Sequence, residues 1–491
     1  MPAVTGKYGV IIIGSGFGGI GMAIALKKAG YSDFVILEKD ADLGGTWRDN
    51  QYPGCACDVP SPMYSFSFEL NPSWSRLFAP QPEIWSYLRR CSAKYGVDAH
   101  IQYGCEIAGL DWDDAGDVWQ VRTSTGPTLS ARAVVSGAGG LHIPRLPDIP
   151  GSSRFGGAAF HSARWDQSCD LAGRRVAVIG TGASAIQFIP EIAEKAASLT
   201  VFQRTPPWVL PRPDTEIPER TQRRLATVPF AARGLRDGIY WLMEARGLGF
   251  AVDPRLQAPA AKMARRHLER QVTDPVLRTQ LTPDYTIGCK RILLSSTYYP
   301  ALQLPHVRLV TDGVASIDPA GVRDVTGELH EADVLIYGTG FRVVDAASTL
   351  NITGRDGQKL ADAWQDGVEA YRGITVPGFP NLFLLLGPNT GLGHNSVVFM
   401  IESQVQHIMS CLRLIARERA CTIEVSAAAS RAYNDSLQRR LRRKVWSAGG
   451  CTSWYLDDAG VNRAIWPGFS FEYWARTRRA RRRDYQLAGL S

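Results

Sequence analysis

The chain has 491 residues, 45% of them apolar and 21% charged, with a net charge of +8. That length allows two or three domains with large cores, and the composition excludes a disordered or fibrous protein. No apolar run approaches the roughly 20 residues a membrane helix needs. The short apolar run at 10–13 passes straight into glycines, unlike a secretory signal core, so a cytoplasmic protein without stable membrane insertion is expected. Nine cysteines are scattered from Cys55 to Cys451, and Cys55-Ala-Cys57 has neither redox nor zinc spacing. Free thiols in a reducing compartment, with no metal centre, are expected. The excess charge falls late, in residues 439–444 and in residues 476–483, where six of eight positions are arginine. Such runs can bind nucleic acid or anionic membrane, but no recognition motif accompanies them and a solvated face is expected.

Residues 8–13 form an apolar, β-branched run ending at Gly14, residues 20–29 are helix-prone, and 35–37 predict a second strand closed by Glu38. Gly14, Gly16 and Gly19 make a GxGxxG turn between strand and helix, where backbone N–H groups can meet a pyrophosphate. Glu38 stands where an acid accepts hydrogen bonds from ribose hydroxyls. Gly14, Gly16, Phe17, Gly19, Glu38 and Lys39 are therefore candidate contacts to a first dinucleotide. Residues 44–58, dense in Gly, Pro and Tyr, predict an ordered loop running on along that cofactor. Gly45, Thr46, Trp47, Tyr52 and Asp58 are its candidate contacts, although Asp58 reads equally well as a turn residue. Residues 82–95 predict a helix, and 118–123 and 133–135 predict strands, the second leading into Gly137-Ala-Gly-Gly140. Pro144, Pro147 and Pro150-Gly151 then form a stiff connector and a domain boundary.

Residues 155–166 have neither helical nor strand periodicity and read as a linker between two glycine loops. Residues 174–179 predict a strand entering Gly180-Thr-Gly182-Ala183-Ser184-Ala185, the same fingerprint with alanine in its last place. The next strand, 199–202, ends at Gln203-Arg204-Thr205, and an arginine at that point suits the 2′-phosphate of NADP. Residues 206–286 predict a helical insertion. Lys290 and Arg291 follow it, and strands at 307–310 and 334–337, the latter entering Gly338-Thr-Gly340, complete a second nucleotide domain. A strand at 382–386 ends in a glycine-rich turn containing Asn389, before a helix at 396–416; such a turn is a further anion or flavin site, with His394 as a helix-capping residue. Trp454 lies in an aromatic-rich region where a loop can close on a flat cofactor. The expected fold class is α/β, with two Rossmann-like domains for FAD (1–150 and 344–491) and NADPH (151–205 and 287–343), interrupted by the insertion at 206–286.

A flavin and a nicotinamide together serve disulfide reduction or oxygen activation, and the first normally uses a CxxxxC pair that this chain lacks. The pattern FxGxxxHxxxW followed by Asp is filled by Phe155, Gly157, His161, Trp165 and Asp166; GxW…YPGxxxD is filled by Gly45, Trp47, Tyr52, Pro53, Gly54 and Asp58; and a Lys-Arg pair stands at Lys290-Arg291. On these motifs the sequence resembles the class B flavoprotein monooxygenases, most closely their type I Baeyer–Villiger branch. The resemblance covers nearly the whole chain and is weakest within 205–286. It implies FAD reduced by NADPH, and reaction with O2 to give a flavin C4a-peroxide. That species converts a small-molecule ketone to an ester or lactone. By position, Arg291 resembles the catalytic arginine and Asp58 its carboxylate partner. Lys290 and Arg204 would hold the 2′-phosphate, and Trp454 resembles a mobile-loop tryptophan near the nicotinamide. His161 is expected to couple the two domains structurally rather than act as an acid or base. The turn from Gly387 to Asn395 departs from the branch's GPxSP pattern, which makes oxidation of sulfides or amines the alternative.

Overall fold

The computed structural model describes residues 6–343 and 350–490. The boundary expected at Val344 lies outside them.

Two sheets organise the chain. The first has eight strands, and its centre is made by Lys7–Ile13 between Phe34–Leu37 and Leu129–Ser136, all parallel. Strands covered on both faces must be apolar throughout, which is why these read as runs rather than alternations. Ile11, Ile12, Ile36 and Val135 are fully buried, each contributing roughly 1.5–3 kcal/mol of transfer free energy. The sheet continues through the antiparallel strands Val118–Thr123 and Ile107–Asp113, and Leu382–Leu384 returns late in the chain to pair with Leu129–Ser136. Ile13 is level with Leu37 and with Ser136, and Ser136 with Leu384. Gly14, Glu38, Gly137 and the turn from Gly387 therefore emerge at one carboxyl edge, where open α/β sheets build ligand crevices.

The second sheet repeats this logic with five parallel strands in the order Val307–Val310, Ser198–Phe202, Arg175–Ile179, Val334–Tyr337, Ala158–His161. Ile179, Phe202 and Tyr337 share one level, so Gly180, Arg204 and Gly338 leave the same edge. The edge strand corrects the sequence reading of residues 155–166. Ala158–His161 pairs in register with Val334–Tyr337, His161 opposite Tyr337. Ala-Ala-Phe-His carries little strand propensity, and it is the neighbouring strand's backbone that holds it extended.

Between 219 and 280 the chain is helical, in Glu219–Thr227, Ala231–Arg246, Leu248–Ala251, Ala258–Gln271 and Pro275–Gln280. Asp274 caps the last of these by accepting from the Val276 N–H at 2.9 Å. A two-strand ladder, Val209–Leu210 with Leu293–Leu294, closes this helical segment at its base. The 22-residue helix Val397–Glu418 packs on the helix Phe17–Lys28, and the chain ends by pairing Tyr485–Leu490 with Ala420–Val425.

The expectation of nine free thiols is also corrected. Cys289 and Cys451 are joined, 162 positions apart. The Thr286 N–H donates to the Gly449 carbonyl at 3.1 Å, which brings the two segments together. No local spacing can announce a pair made by tertiary contact.

Candidate active site

At the first crevice the glycines are dictated by space. Gly14 has φ +86°, and a methyl group on Gly19 would collide with the Gly14 carbonyl oxygen. A methyl group on Gly16 would meet nothing nearer than the Cα of Gly45, at 3.8 Å, so backbone faces backbone across a slot. No side chain caps the helix that starts at Phe17, which leaves its first N–H groups available to an anion. Phe17 itself turns inward against Tyr64 and Phe66. Glu38 is buried, and its carboxylate accepts from the Ser15 N–H (2.9 Å) and hydroxyl (2.6 Å), the Asp40 N–H (3.1 Å) and Arg48 (3.0 Å). Burial would raise its pKa, but these donors outweigh that effect and hold it below the usual value. Lys39, next in the chain, is exposed.

The loop beyond is pinned from both sides. Thr46 begins a short turn of helix, Trp47 donates to the Tyr64 hydroxyl at 3.1 Å, and Tyr52 donates to the Gln187 side-chain carbonyl at 2.9 Å. Gln187 belongs to the helix Ala185–Ala193 of the second nucleotide unit, and its amide nitrogen donates to the Ala56 carbonyl at 3.0 Å. This glutamine ties the two crevices together and was missed in the sequence, where it is one polar residue on a helix. A methyl group on Gly54 would press on the Gln187 carbonyl at 2.8 Å.

At the far end of that loop Asp58 meets Arg291 across 233 positions. Nε donates at 2.9 Å, and Nη2 donates at 2.6 and 2.7 Å to the two carboxylate oxygens. Asp58 raises the arginine's proton affinity further, so the guanidinium stays charged. Nη1 has no partner among the described residues, which leaves two donors free on a side chain 40% exposed. Trp454, also exposed, packs on Tyr455, which is buried. The Cys289–Cys451 bond ties the Trp454 loop to the segment that carries Lys290 and Arg291.

The second crevice is more open. Gly180 has φ +107° and Gly340 φ +80°, and a methyl group on Gly340 would meet nothing. Gly182 and Ala183 are exposed, and Ser184 leads into its helix without capping it. Arg204 is exposed, with Thr205 beside it, and lies close enough to Lys290 to act on its charge. Burial first, and Arg204 second, lower the Lys290 pKa. Neither cation forms an ion pair among the described residues, an arrangement suited to a dianionic phosphate.

Five residues of the linker stretch find defined places. Phe155 packs against the core of the second sheet, and Gly157 lies against the Asp333 carbonyl with no room for a side chain. His161 is buried, and its Nδ1 accepts from the Ala163 N–H at 3.1 Å. Burial lowers its pKa to about 4, so it is neutral near pH 7. Trp165 packs on Phe188 of the helix Ala185–Ala193, and Asp166 accepts from the Ser168 N–H and hydroxyl in a local turn.

The late turn corrects one expectation. The cap of the helix Val397–Glu418 is Ser396, whose hydroxyl accepts from the Val398 N–H at 3.2 Å, because a short hydroxyl next to the first turn reaches where an imidazole two residues earlier does not. His394 instead lies buried 3.4 Å from Glu244, which accepts from Asn395 and Ser470. Asn389 spends both amide hydrogens on the Asn462 and Ile465 carbonyls, at 2.9 and 3.2 Å.

The family model of pyridine nucleotide-disulphide oxidoreductases matches residues 11–233. A Baeyer-Villiger monooxygenase of Pseudomonas aeruginosa is 49% identical over 487 residues, spanning 99% of this chain and 92% of the relative. A second, of Streptomyces coelicolor, is 46% identical over 480 residues, 97% and 92%. Among solved structures, closed cyclohexanone monooxygenase superimposes with a TM-score of 0.89 at 26% identity, covering 99% of this chain and 100% of the other. OTEMO in complex with FAD and NADP superimposes with a TM-score of 0.88 at 26% identity, covering 98% and 99%.

Proposed function

This chain belongs to the Baeyer–Villiger monooxygenase family and is an FAD- and NADPH-dependent enzyme, and on that premise we propose that Asp58 and Arg291 direct the insertion of one oxygen atom of O2 beside a ketone carbonyl, giving an ester or lactone. When bound, the flavin supplies activated oxygen and the nicotinamide the hydride. The residues present suit both groups, as the backbone slot at Gly16 and Gly45 and the unpaired cations Arg204 and Lys290 argue. The oxidation of sulfur or nitrogen considered above is not favoured by these relatives.

FAD is held by residues 1–150 and 344–491, with Gly14, Gly16, Phe17, Gly19, Glu38 and Lys39 around its adenosine end and Gly45, Thr46, Trp47, Tyr52, Asp58 and Asn389 toward its ring. The ribose hydroxyls share the Glu38 carboxylate with Arg48. NADPH is held by residues 151–205 and 287–343 through Gly180, Gly182, Ala183, Ser184, Thr205 and Gly340, with Arg204 and Lys290 on its 2′-phosphate. Residues 206–286 are the helical insertion, and Trp454 covers the nicotinamide. Phe155, Gly157, His161, Trp165 and Asp166 fix the path between the two parts, with His161 neutral. The setting that supplies NADPH and O2 is the cytoplasm.

The observation that carries the reading is the Asp58–Arg291 pair. Asp58 occupies one edge of the guanidinium and fixes its plane, while the two Nη1 donors remain free for negative charge developing on a reacting oxygen. Donors fixed in advance act without reorganisation during the reaction. Incubation with cyclic, linear and aromatic ketones and one ketosulfide tests it. Esters or lactones are expected, and sulfoxide as the sole product across the panel would overturn it.

A further inference from the structure

Neither arginine run supplies any of the candidate nucleotide contacts named above. Although they are far apart in sequence, the fold delivers both to one cavity of about 330 Å³, lined by Arg440 of the first, Arg476 and Arg481 of the second, and Arg372 from elsewhere. The helices Ala427–Leu441 and Ser470–Thr477 form two of its walls. No lining residue belongs to the glycine turns, to the loop at 44–58, or to the Arg204–Lys290 pair.

The charges of this cavity do not cancel. Arg440 donates to both oxygens of Glu472 at 2.8 Å, and Arg476 donates to one of the same oxygens at 2.8 Å. Arg372, whose side chain is buried, stands 3.5 Å from Asp484, and that carboxylate already accepts from the Tyr371 hydroxyl at 2.7 Å. Arg481 has no ion-pair or side-chain hydrogen-bond partner among the described residues and lies open at the rim. Asp484 is also approached by Arg483 at 3.7 Å, so five guanidinium groups in and around the cavity share two carboxylates and the positive charge is in excess. The Tyr433 hydroxyl in the wall is buried without a hydrogen-bond partner among the described residues. The Arg440 and Arg476 guanidinium groups stand over Trp466, at 5.4 and 5.8 Å from the ring centre, which holds them in place at little entropic cost.

We propose that this cavity binds a small molecule carrying a dianionic phosphate group, either free phosphate or a phosphate ester. Guanidinium forks match phosphate oxygens two by two. The cavity's volume lies at the lower end of the range for small-molecule sites, about 300–1,000 Å³. A nucleic acid would need cations strung along an open surface, whereas Arg440, Arg476 and Arg481 meet Arg372 in one concavity.

The test is calorimetric titration of the FAD-loaded enzyme saturated with NADP+, so that the 2′-phosphate site is already filled. The probes are phenyl phosphate, inorganic phosphate and benzoate. One saturable site is expected for phenyl phosphate, with benzoate much weaker, and affinity should rise as pH passes the second phosphate ionisation near about 6. Arg481→Gln and Arg476→Gln should each weaken binding about tenfold, the scale of a lost charge-assisted contact. Arg481→Gln should leave phosphate-free turnover unchanged. Phenyl phosphate binding more tightly than inorganic phosphate identifies an ester as the ligand, and equal binding identifies free phosphate. Absence of saturable binding, or binding undiminished in both variants, would overturn the proposal. So would capture of a DNA duplex or anionic vesicles through the same arginines without phenyl phosphate binding.

Discussion

The two nucleotide crevices share one plan, a glycine turn at the carboxyl edge of a parallel sheet, yet they differ in how their charges are settled. At the first, Glu38 is buried with four donors on its carboxylate before any ligand arrives. At the second, Arg204 and Lys290 sit near each other without an ion pair among the described residues, and Asp284 offsets their repulsion only in part. A buried, satisfied anion belongs to the folded scaffold, and removing it leaves donors stranded. Unpaired cations at an open rim gain free energy only when an anion comes, and release it without harm to the fold. On the proposed assignment, the first crevice is suited to retaining a nucleotide and the second to exchanging one.

That contrast is tested most severely at Glu38. Glu38→Ala strands the Ser15 and Asp40 N–H groups, while Arg48 keeps Asp40 and Asp49, and each buried donor left without its partner costs roughly 1–3 kcal/mol. Thermal unfolding should shift to match, and the purified protein should lose its yellow colour; a variant that keeps both would place the Glu38 carboxylate outside the FAD site. Next in size is Arg291→Ala, which lies between the crevices. Ester formation should fall by about 10²–10³, the scale of losing one preorganised donor to developing negative charge. FAD content and NADPH oxidation should persist, and an unchanged ester yield would remove Arg291 from the chemistry.

The smallest effect is expected at the second crevice. Arg204→Ala should raise the KM for NADPH about tenfold, equivalent to about 1.4 kcal/mol, with little change for NADH and none in thermal stability. Equal loss for both nucleotides would end the 2′-phosphate assignment. The same measurement over pH reads Lys290. Its pKa lies below that of an ordinary lysine, so it loses its charge earlier as pH rises, and KM for NADPH should climb at alkaline pH while KM for NADH stays flat.

Glycine turns with a charged residue at the end of the next strand were legible in the sequence because the constraint is local: Gly19 has no room for a side chain, and Glu38 and Arg204 stand at fixed distances beyond their turns. The Asp58–Arg291 pair was legible only through family resemblance, since no periodicity relates two residues 233 positions apart. Ala158–His161 was missed because its extended form comes from a neighbouring strand rather than from its own side chains. Gln187 was missed because a glutamine on an apolar helix looks the same whether it faces water or clamps a loop from another unit. His394 was assigned a cap that the nearer Ser396 provides, and its burial beside Glu244 depends on a helix about 150 residues earlier.

The bond between Cys289 and Cys451 closes a ring of chain, and each sheet draws strands from inside that ring and from outside it: Val307–Val310 and Val334–Tyr337 in one, Asn351–Thr353 and Leu382–Leu384 in the other. A protease cut within the ring therefore yields two fragments that migrate as one on a denaturing gel until a thiol reductant parts them. Under native conditions both fragments stay interleaved in the same two sheets. Nicked enzyme can thus pass through purification unnoticed, and gels run with and without reductant distinguish it from intact chain.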